Sequence, residues 1–169
     1  MIVSFSFLQQ VFVVFLRFVV GWHLFFQGLG KWWTIGWSSK GYLENASGPF
    51  ASLIQYIPTH PMLLSLADFT VVYGLIFSGL FLMLGLFSRF AALSGFFLLL
   101  LFFVASPPLP YLGFAIPGPE GSELYVNKTL IEALLLLFLA FIPTGKMAGL
   151  DILISDWLLR RNSVFRRRK

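Results

Sequence analysis

The stretch LQQVFVVFLRFVVGWHLFFQ, residues 8–27, decides how the rest of the sequence is read. It is apolar apart from Gln9, Gln10, Arg17, His23 and Gln27. About 20 helical residues rising 1.5 Å each cover the ~30 Å hydrocarbon core of a bilayer. The apolar residues run continuously instead of alternating, which predicts a helix and not a barrel strand. Three more apolar runs follow: 62–86, containing Asp68; 90–105, without a charge; and 128–142, containing Glu132. The last two are short, so their ends are expected to reach into flanking residues. The chain thus reads as all-α, a four-transmembrane-helix bundle over residues 1–146 with spans at about 8–27, 62–86, 90–105 and 128–142.

Composition agrees. Of 169 residues, 58 % are apolar and 11 % charged, with a mean hydropathy of +0.86. A soluble domain carries about 25 % charged residues, so a chain this poor in charge cannot clothe itself in water. The absence of Cys excludes disulfides, thiolate catalysis and iron–sulfur ligation within the chain. Charge balances over residues 1–145; the excess of +5 lies entirely from Lys146 onward. A basic tail on a neutral apolar body is a membrane pattern. FRRRK has no folded reading module beside it, so no nucleic acid is expected as a partner. By the positive-inside rule the tail and Arg89, in the turn between spans two and three, lie on the cytoplasmic side. Four spans then place both termini there. MIVSFSFLQQ lacks the basic start of a cleaved signal peptide.

The two loops on the other side are long. GKWWTIGW, residues 30–37, carries three Trp at the end of span one, where indoles anchor at a membrane interface. SGPFASLIQYIP, residues 47–58, reads as a short interfacial helix with Ser47 as its cap and Phe50, Leu53, Ile54 and Ile57 on one face. Residues 106–127 hold five Pro and exclude regular helix. In the tail, residues 147–169, Leu150, Leu153, Ile154, Trp157 and Leu158 share one helical face, with Arg160 and Arg161 after them. This predicts an amphipathic helix held by anionic headgroups.

Ionisable groups inside a bilayer are costly and point to function. His23, Asp68 and Glu132 fall at one depth, roughly 6–9 Å below the outer boundary at 1.5 Å per residue. Lys31 and Lys128 stand just above them, and Arg17 lies deeper. Arg17, Gly21, Leu24, Gly28 and Lys31 form one stripe on span one, with His23 and Gln27 beside it. The stripe is expected to face the bundle interior, and the Phe residues lipid. The plain alternative is structural: Arg17 pairing with Asp68 or Glu132, and the two acids with Lys31 and Lys128. Haem is disfavoured, since the other histidine, His60, lies in a loop. No P-loop, dinucleotide fingerprint or metal-ligand spacing is present. Two acids and an imidazole beneath an aromatic lid fit a proton-coupled redox pocket. A quinone needs an apolar slot, donors to its carbonyls and a proton route. Trp32, Trp33 and Tyr42 are the expected stacking residues.

These features together resemble the DoxX/DoxD family of small four-helix membrane proteins. The resemblance rests on LRFVVGWHLFFQGLGK, with Arg17, Gly21, Gly28 and Lys31; on LGLFSRFAAL, with Arg89; and on VNKTLIEALLLL followed by TGKMAGLD, with Gly145, Leu150 and Asp151. The loop KGYLENASGPF is similar to the DoxD branch, the larger subunit of a membrane thiosulfate:quinone oxidoreductase. The resemblance implies a bacterial or archaeal inner membrane, thiosulfate or a related sulfur compound as donor at the outer face, quinone as acceptor and a second protein subunit. His23, Asp68, Glu132 and Arg17 are then the expected catalytic set. Lys31, Trp32, Trp33, Tyr42 and Lys128 would bind substrate, with Lys40 helping to attract the anion and no metal taking part. The alternative is a non-catalytic membrane anchor or assembly subunit of a redox or envelope complex.

Overall fold

A computed structural model describes residues 6–107, 122–123 and 126–152. Helix α1, Phe7–Trp33, starts with a reciprocal cap: Gln9 N–H donates to the Ser6 hydroxyl, and Ser6 N–H to the Gln9 side chain at 2.8 Å. It continues past Gln27 to Trp33, further than the hydropathy run predicts. Two short helices follow, α2 (Lys40–Glu44) and α3 (Ala51–Tyr56). Helix α4, Pro61–Leu84, begins on a proline, whose fixed φ suits a first turn, and ends at Gly85 with φ +64°. Helix α5 is Ser88–Ala105. A minimal antiparallel pair, β1 (Ser122–Glu123) and β2 (Val126–Asn127), leads into α6, Lys128–Phe141. Asn127 caps α6 by accepting from Leu130 N–H at 2.8 Å.

Three helices, α1, α4 and α5, are long and apolar enough to cross a membrane. The expected fourth span is represented by α6, which has 14 residues and so rises only about 21 Å. The described part of the tail ends with helical residues 150–152. The rest of the expected amphipathic helix lies outside the described residues, as does most of the 106–127 loop.

Glycine sets the closest packing. A Cβ on Gly28 would stand 2.8 Å from Ile76 N, one on Gly21 2.9 Å from Gly79 O, and one on Gly79 would run into Phe25 N. Helix α1 therefore lies backbone to backbone on α4. Helix α4 also packs on α5, and α5 on α6, whereas α1 and α6 barely touch. The buried core is built from Leu24, Leu75, Leu82, Leu98, Leu136 and Leu139, with Ala92 and Ala133 where helices come close. Ser78 and Ser94 share a 2.7 Å hydrogen bond across α4 and α5. The Phe residues of α1 behave as the stripe predicts: Phe12, Phe15 and Phe18 are exposed, while Arg17, Gly21, Leu24 and Gly28 are buried.

Two contacts tie the loops to the helices. Ser47 does not cap α3, whose preceding residue is Phe50 with no side-chain cap. Instead Ser47 and Gly48 N–H both donate to Ala105 O, at 3.0 and 3.1 Å, and so seal the end of α5. Two residues of unpaired carbonyl at a helix end outbid a local cap because they would otherwise stay unsatisfied. At the other end of the bundle, Asp151 accepts from Phe87 N–H at 2.8 Å and from Ser88 N–H and hydroxyl. Its own N–H donates to Gly85 O at 3.1 Å. Phe87 sits at φ +45°, a strained conformation for a bulky residue, and the Asp151 carboxylate holds it there.

Replacing Gly79 by Ala should lower unfolding stability in detergent by about 1–3 kcal/mol through overpacking. Gly41→Ala, where a Cβ meets nothing within 4 Å, should leave the melting curve unmoved. Asp151→Ala should cost about 2 kcal/mol, the scale of charge-assisted hydrogen bonds lost from a helix start. The same thermal scans read all three variants.

Candidate functional site

Because α1 and α6 barely touch, the bundle is open between them at the end that carries the 34–60 loop. A cavity of about 510 Å³ fills that opening, within the ~300–1,000 Å³ range of small-molecule sites. Its apolar wall is Leu24, Val71, Leu75, Leu99 and Phe102, contributed by α1, α4 and α5. Its polar wall is His23, Gln27 and Lys31 from α1, and Lys128, Thr129 and Glu132 from α6. Residues Trp37 to Ser39, with Tyr42 from α2, close the top.

His23 and Glu132 bridge the seam. His23 Nε2 lies 3.3 Å from Glu132 Oε1, and both side chains are only partly exposed. Four residues into α6, Glu132 meets the imidazole because Asn127 fixes where that helix begins. Lys31 Nζ donates to Gln27 O and Oε1, each at 3.2 Å, and stands 5.9 Å from the centre of the Trp37 ring. Among the described residues, neither Lys31 nor Lys128 has a carboxylate within 4.0 Å. The cavity therefore holds two uncompensated cations beside one imidazole–carboxylate pair. Tyr42 donates its hydroxyl to Phe102 O at 2.6 Å and sets its ring edge-on to Phe102. Burial pushes the Tyr42 phenol above its ordinary pKa of 10.0.

Of the residues singled out from the sequence, the structure thus brings His23, Glu132, Lys31, Lys128 and Tyr42 to one cavity. Asp68 faces elsewhere. It accepts from Ser39 N–H at 2.7 Å and from the Ser39 hydroxyl, and it lines a separate recess on the α1–α4 side, with Lys31, Trp32 and Trp37. Asp68 holds the start of α2 in place beneath the loop. Trp32 and Trp33 are 56 % and 75 % exposed and stand edge to face with each other; neither lines the large cavity. Lys40 pairs with Glu44 at 3.8 Å on the surface.

Arg17 belongs to the opposite end. It meets neither Asp68 nor Glu132. Its Nη2 donates to Ala148 O at 2.7 Å, and Asp151 supplies the nearby opposite charge. Gly85 and Gly149 leave room for the guanidinium and for each other: a Cβ on Gly85 would lie 2.7 Å from Gly149 Cα and 2.9 Å from Arg17 Nη2. The three sequence segments that carry Arg17, Gly85 and Asp151 are one clasp in space.

Trp37 is the cavity residue that sequence reasoning missed as a site residue. It was grouped with its neighbours as an interface anchor. Helix α1 ends at Thr34, and Gly36 at φ +75° turns the chain back, which brings Trp37 over Lys31. The glycine is the available signal, since it permits a reversal that its neighbours disfavour.

The family model for DoxX matches residues 12–106, more than half of the chain. The chain belongs to the DoxX family. No curated protein and no solved structure matches it. The matched region runs from α1 through the end of α5, so it contains His23, Lys31 and Tyr42 of the cavity but not Lys128 or Glu132. With three apolar helices of spanning length, this DoxX protein is a multi-pass membrane protein in contact with lipid.

The Tyr42 assignment has an optical test. Burial disfavours the phenolate, so the Tyr42 phenol should ionise above pH 10, seen as the tyrosinate absorbance that Tyr42→Phe removes. Because its folded pKa is the higher one, any stability it lends is full below pH 10 and lost as pH rises through that folded value.

Proposed function

We propose that this DoxX protein is the membrane subunit of a quinone-reducing oxidoreductase that draws electrons from thiosulfate or a related small sulfur anion. The observation that carries the reading is the His23–Glu132 pair in the wall of an otherwise apolar cavity between helices. A quinone ring is flat and apolar with carbonyls that accept hydrogen bonds. The leucine and phenylalanine wall suits the ring, and Trp37 or Tyr42 the stacking face. The resemblance of residues 40–50 to the DoxD branch supports the donor.

Electron and proton accounting explains why the pair is needed. Two thiosulfate anions each give up one electron and join through a new S–S bond, forming tetrathionate. The quinone takes both electrons and two protons to become the quinol. The donor half releases no proton, so both protons must come from water through the protein. In this reading His23 passes a proton to a quinone oxygen and Glu132 restores it. Lys31 and Lys128 draw the anion towards the cavity. Arg17 and Asp68 are positioning residues: Arg17 ties the tail to the bundle, and Asp68 sets the loop that closes the cavity.

The fold is read as four spans, with α6 extended to membrane thickness by its flanking residues. The Arg89 end of the bundle and the basic tail lie on the cytoplasmic side of a bacterial or archaeal inner membrane. The cavity then opens near the outer face, where a second protein subunit would dock.

Thiosulfate-dependent quinone reduction is measured in native membranes with the gene deleted and then restored as wild type or Glu132→Gln. The expected outcome is loss of the rate on deletion, return with the wild type, and about 100-fold or greater loss with Glu132→Gln at equal membrane levels. A rate untouched by deletion would remove the oxidoreductase reading. In that case, co-purification with a stoichiometric partner and no bound quinone would identify an assembly subunit.

A further inference from the structure

Beside the large cavity lies a second recess of about 380 Å³, on the other side of the last turns of α1. His23, Gln27, Lys31 and Trp37 line both spaces; Phe26, Gly30 and Thr34 line the recess alone. The two spaces differ in chemistry. The large cavity has a wall of five apolar side chains. In the recess, five of seven lining residues carry hydrogen-bonding side chains, and Phe26 is the exception besides Gly30. Gln27, Gly30 and Thr34 are exposed, so the recess opens outward. Its one cation is Lys31, which has no carboxylate within 4.0 Å among the described residues. An ammonium carries three N–H donors, and Gln27 engages two of them.

We propose that this recess is a binding site for a small, doubly charged sulfur oxyanion, separate from the quinone cavity and sharing the Lys31–His23 wall with it. The inference rests on the quinone reading above and adds where the donor sits. A polar recess with an uncompensated ammonium suits a compact anion from water. An apolar isoprenoid tail would be poorly served there. The two substrates would then lie on opposite sides of one helical turn, bound together and not in exchange.

Gly30 gives a direct test, because a Cβ there meets nothing within 4 Å and the residue does not line the large cavity. Side chains added at Gly30 grow into the recess without disturbing the helix contacts. The full-length chain in lipid nanodiscs is titrated with ³⁵S-thiosulfate and, separately, with a short-tailed benzoquinone, each alone and in the presence of the other. Both ligands should bind wild type without competing. Gly30→Glu, which sets a like charge near Lys31, should weaken thiosulfate by about tenfold or more, and Gly30→Leu should do so by bulk. Quinone binding should stay unchanged in both, which also reports that the variants fold.

Several outcomes would overturn the proposal. One-for-one competition between the ligands would place both in the large cavity and leave the quinone reading standing. Loss of quinone binding in Gly30→Leu with thiosulfate unaffected would make the recess the quinone's side opening. Quinone binding by wild type without thiosulfate binding would show that the recess takes no such anion. Binding of neither ligand would fail the quinone reading itself, and this proposal with it.

Discussion

Helix α1 can lie flush against only one neighbour, and its glycines choose α4. Gly21 and Gly28 meet Gly79 and Ile76 at distances that admit no Cβ. An interface this close is short of side-chain volume but rich in dispersion contact and small-residue complementarity, the usual solution where lipid removes the hydrophobic drive between helices. Its consequence appears on the far side of α1. Helix α6 is fixed against α5 and is left with little contact to α1. The cavity is the space that this choice leaves, and the His23–Glu132 contact is what crosses it.

The ionisable residues divide between the two ends of the bundle. Around the cavity, the charges are mobile: a histidine, a carboxylate and two lysines without carboxylate partners. At the other end they are immobilised. Asp151 collects three donors from the start of α5, and Arg17 is held to Ala148 O, with its Nε and Nη1 making no hydrogen bond. Buried charges are normally satisfied because an unpaired one is expensive to desolvate. Arg17 departs from that in part, and its pairing charge is Asp151 instead of an acid at the cavity. Stability and chemistry are thus kept about 9 Å or more apart along α1, from Arg17 to His23.

This separation fits a protein whose substrates differ in solvent. A quinone is dissolved in lipid, and a sulfur anion in water. A cavity near one end of a bundle can be reached from both phases, whereas a cavity at the bilayer centre cannot. The clasp at the opposite end holds the α4–α5 turn and the tail together, so the open seam between α1 and α6 need not carry the stability of the fold.

Membrane residence, helical class and the buried stripe Arg17, Gly21, Leu24, Gly28 are legible in the sequence, because hydropathy and helical period are local properties. So is the shared depth of His23 and Glu132, which follows from counting residues from helix ends. The family motifs are legible too, as separate fragments. What the sequence alone does not yield is which fragment meets which. Asp68 lies at the same depth as Glu132 but turns to Ser39, because a loop 29 residues away supplies two donors at that point. Arg17 sits on the same stripe as Lys31, yet its partner comes from residue 148, and no periodicity in α1 predicts a contact 131 residues distant. Trp37 reaches the cavity while Trp32 and Trp33 do not, since Gly36 reverses the chain between them. The short α6 is the remaining case: hydropathy counts apolar residues, but Asn127 and the turn after Phe141 set where the helix starts and stops. Depth and face are properties of one helix; partners are properties of the assembled bundle, and those only the tertiary structure decided.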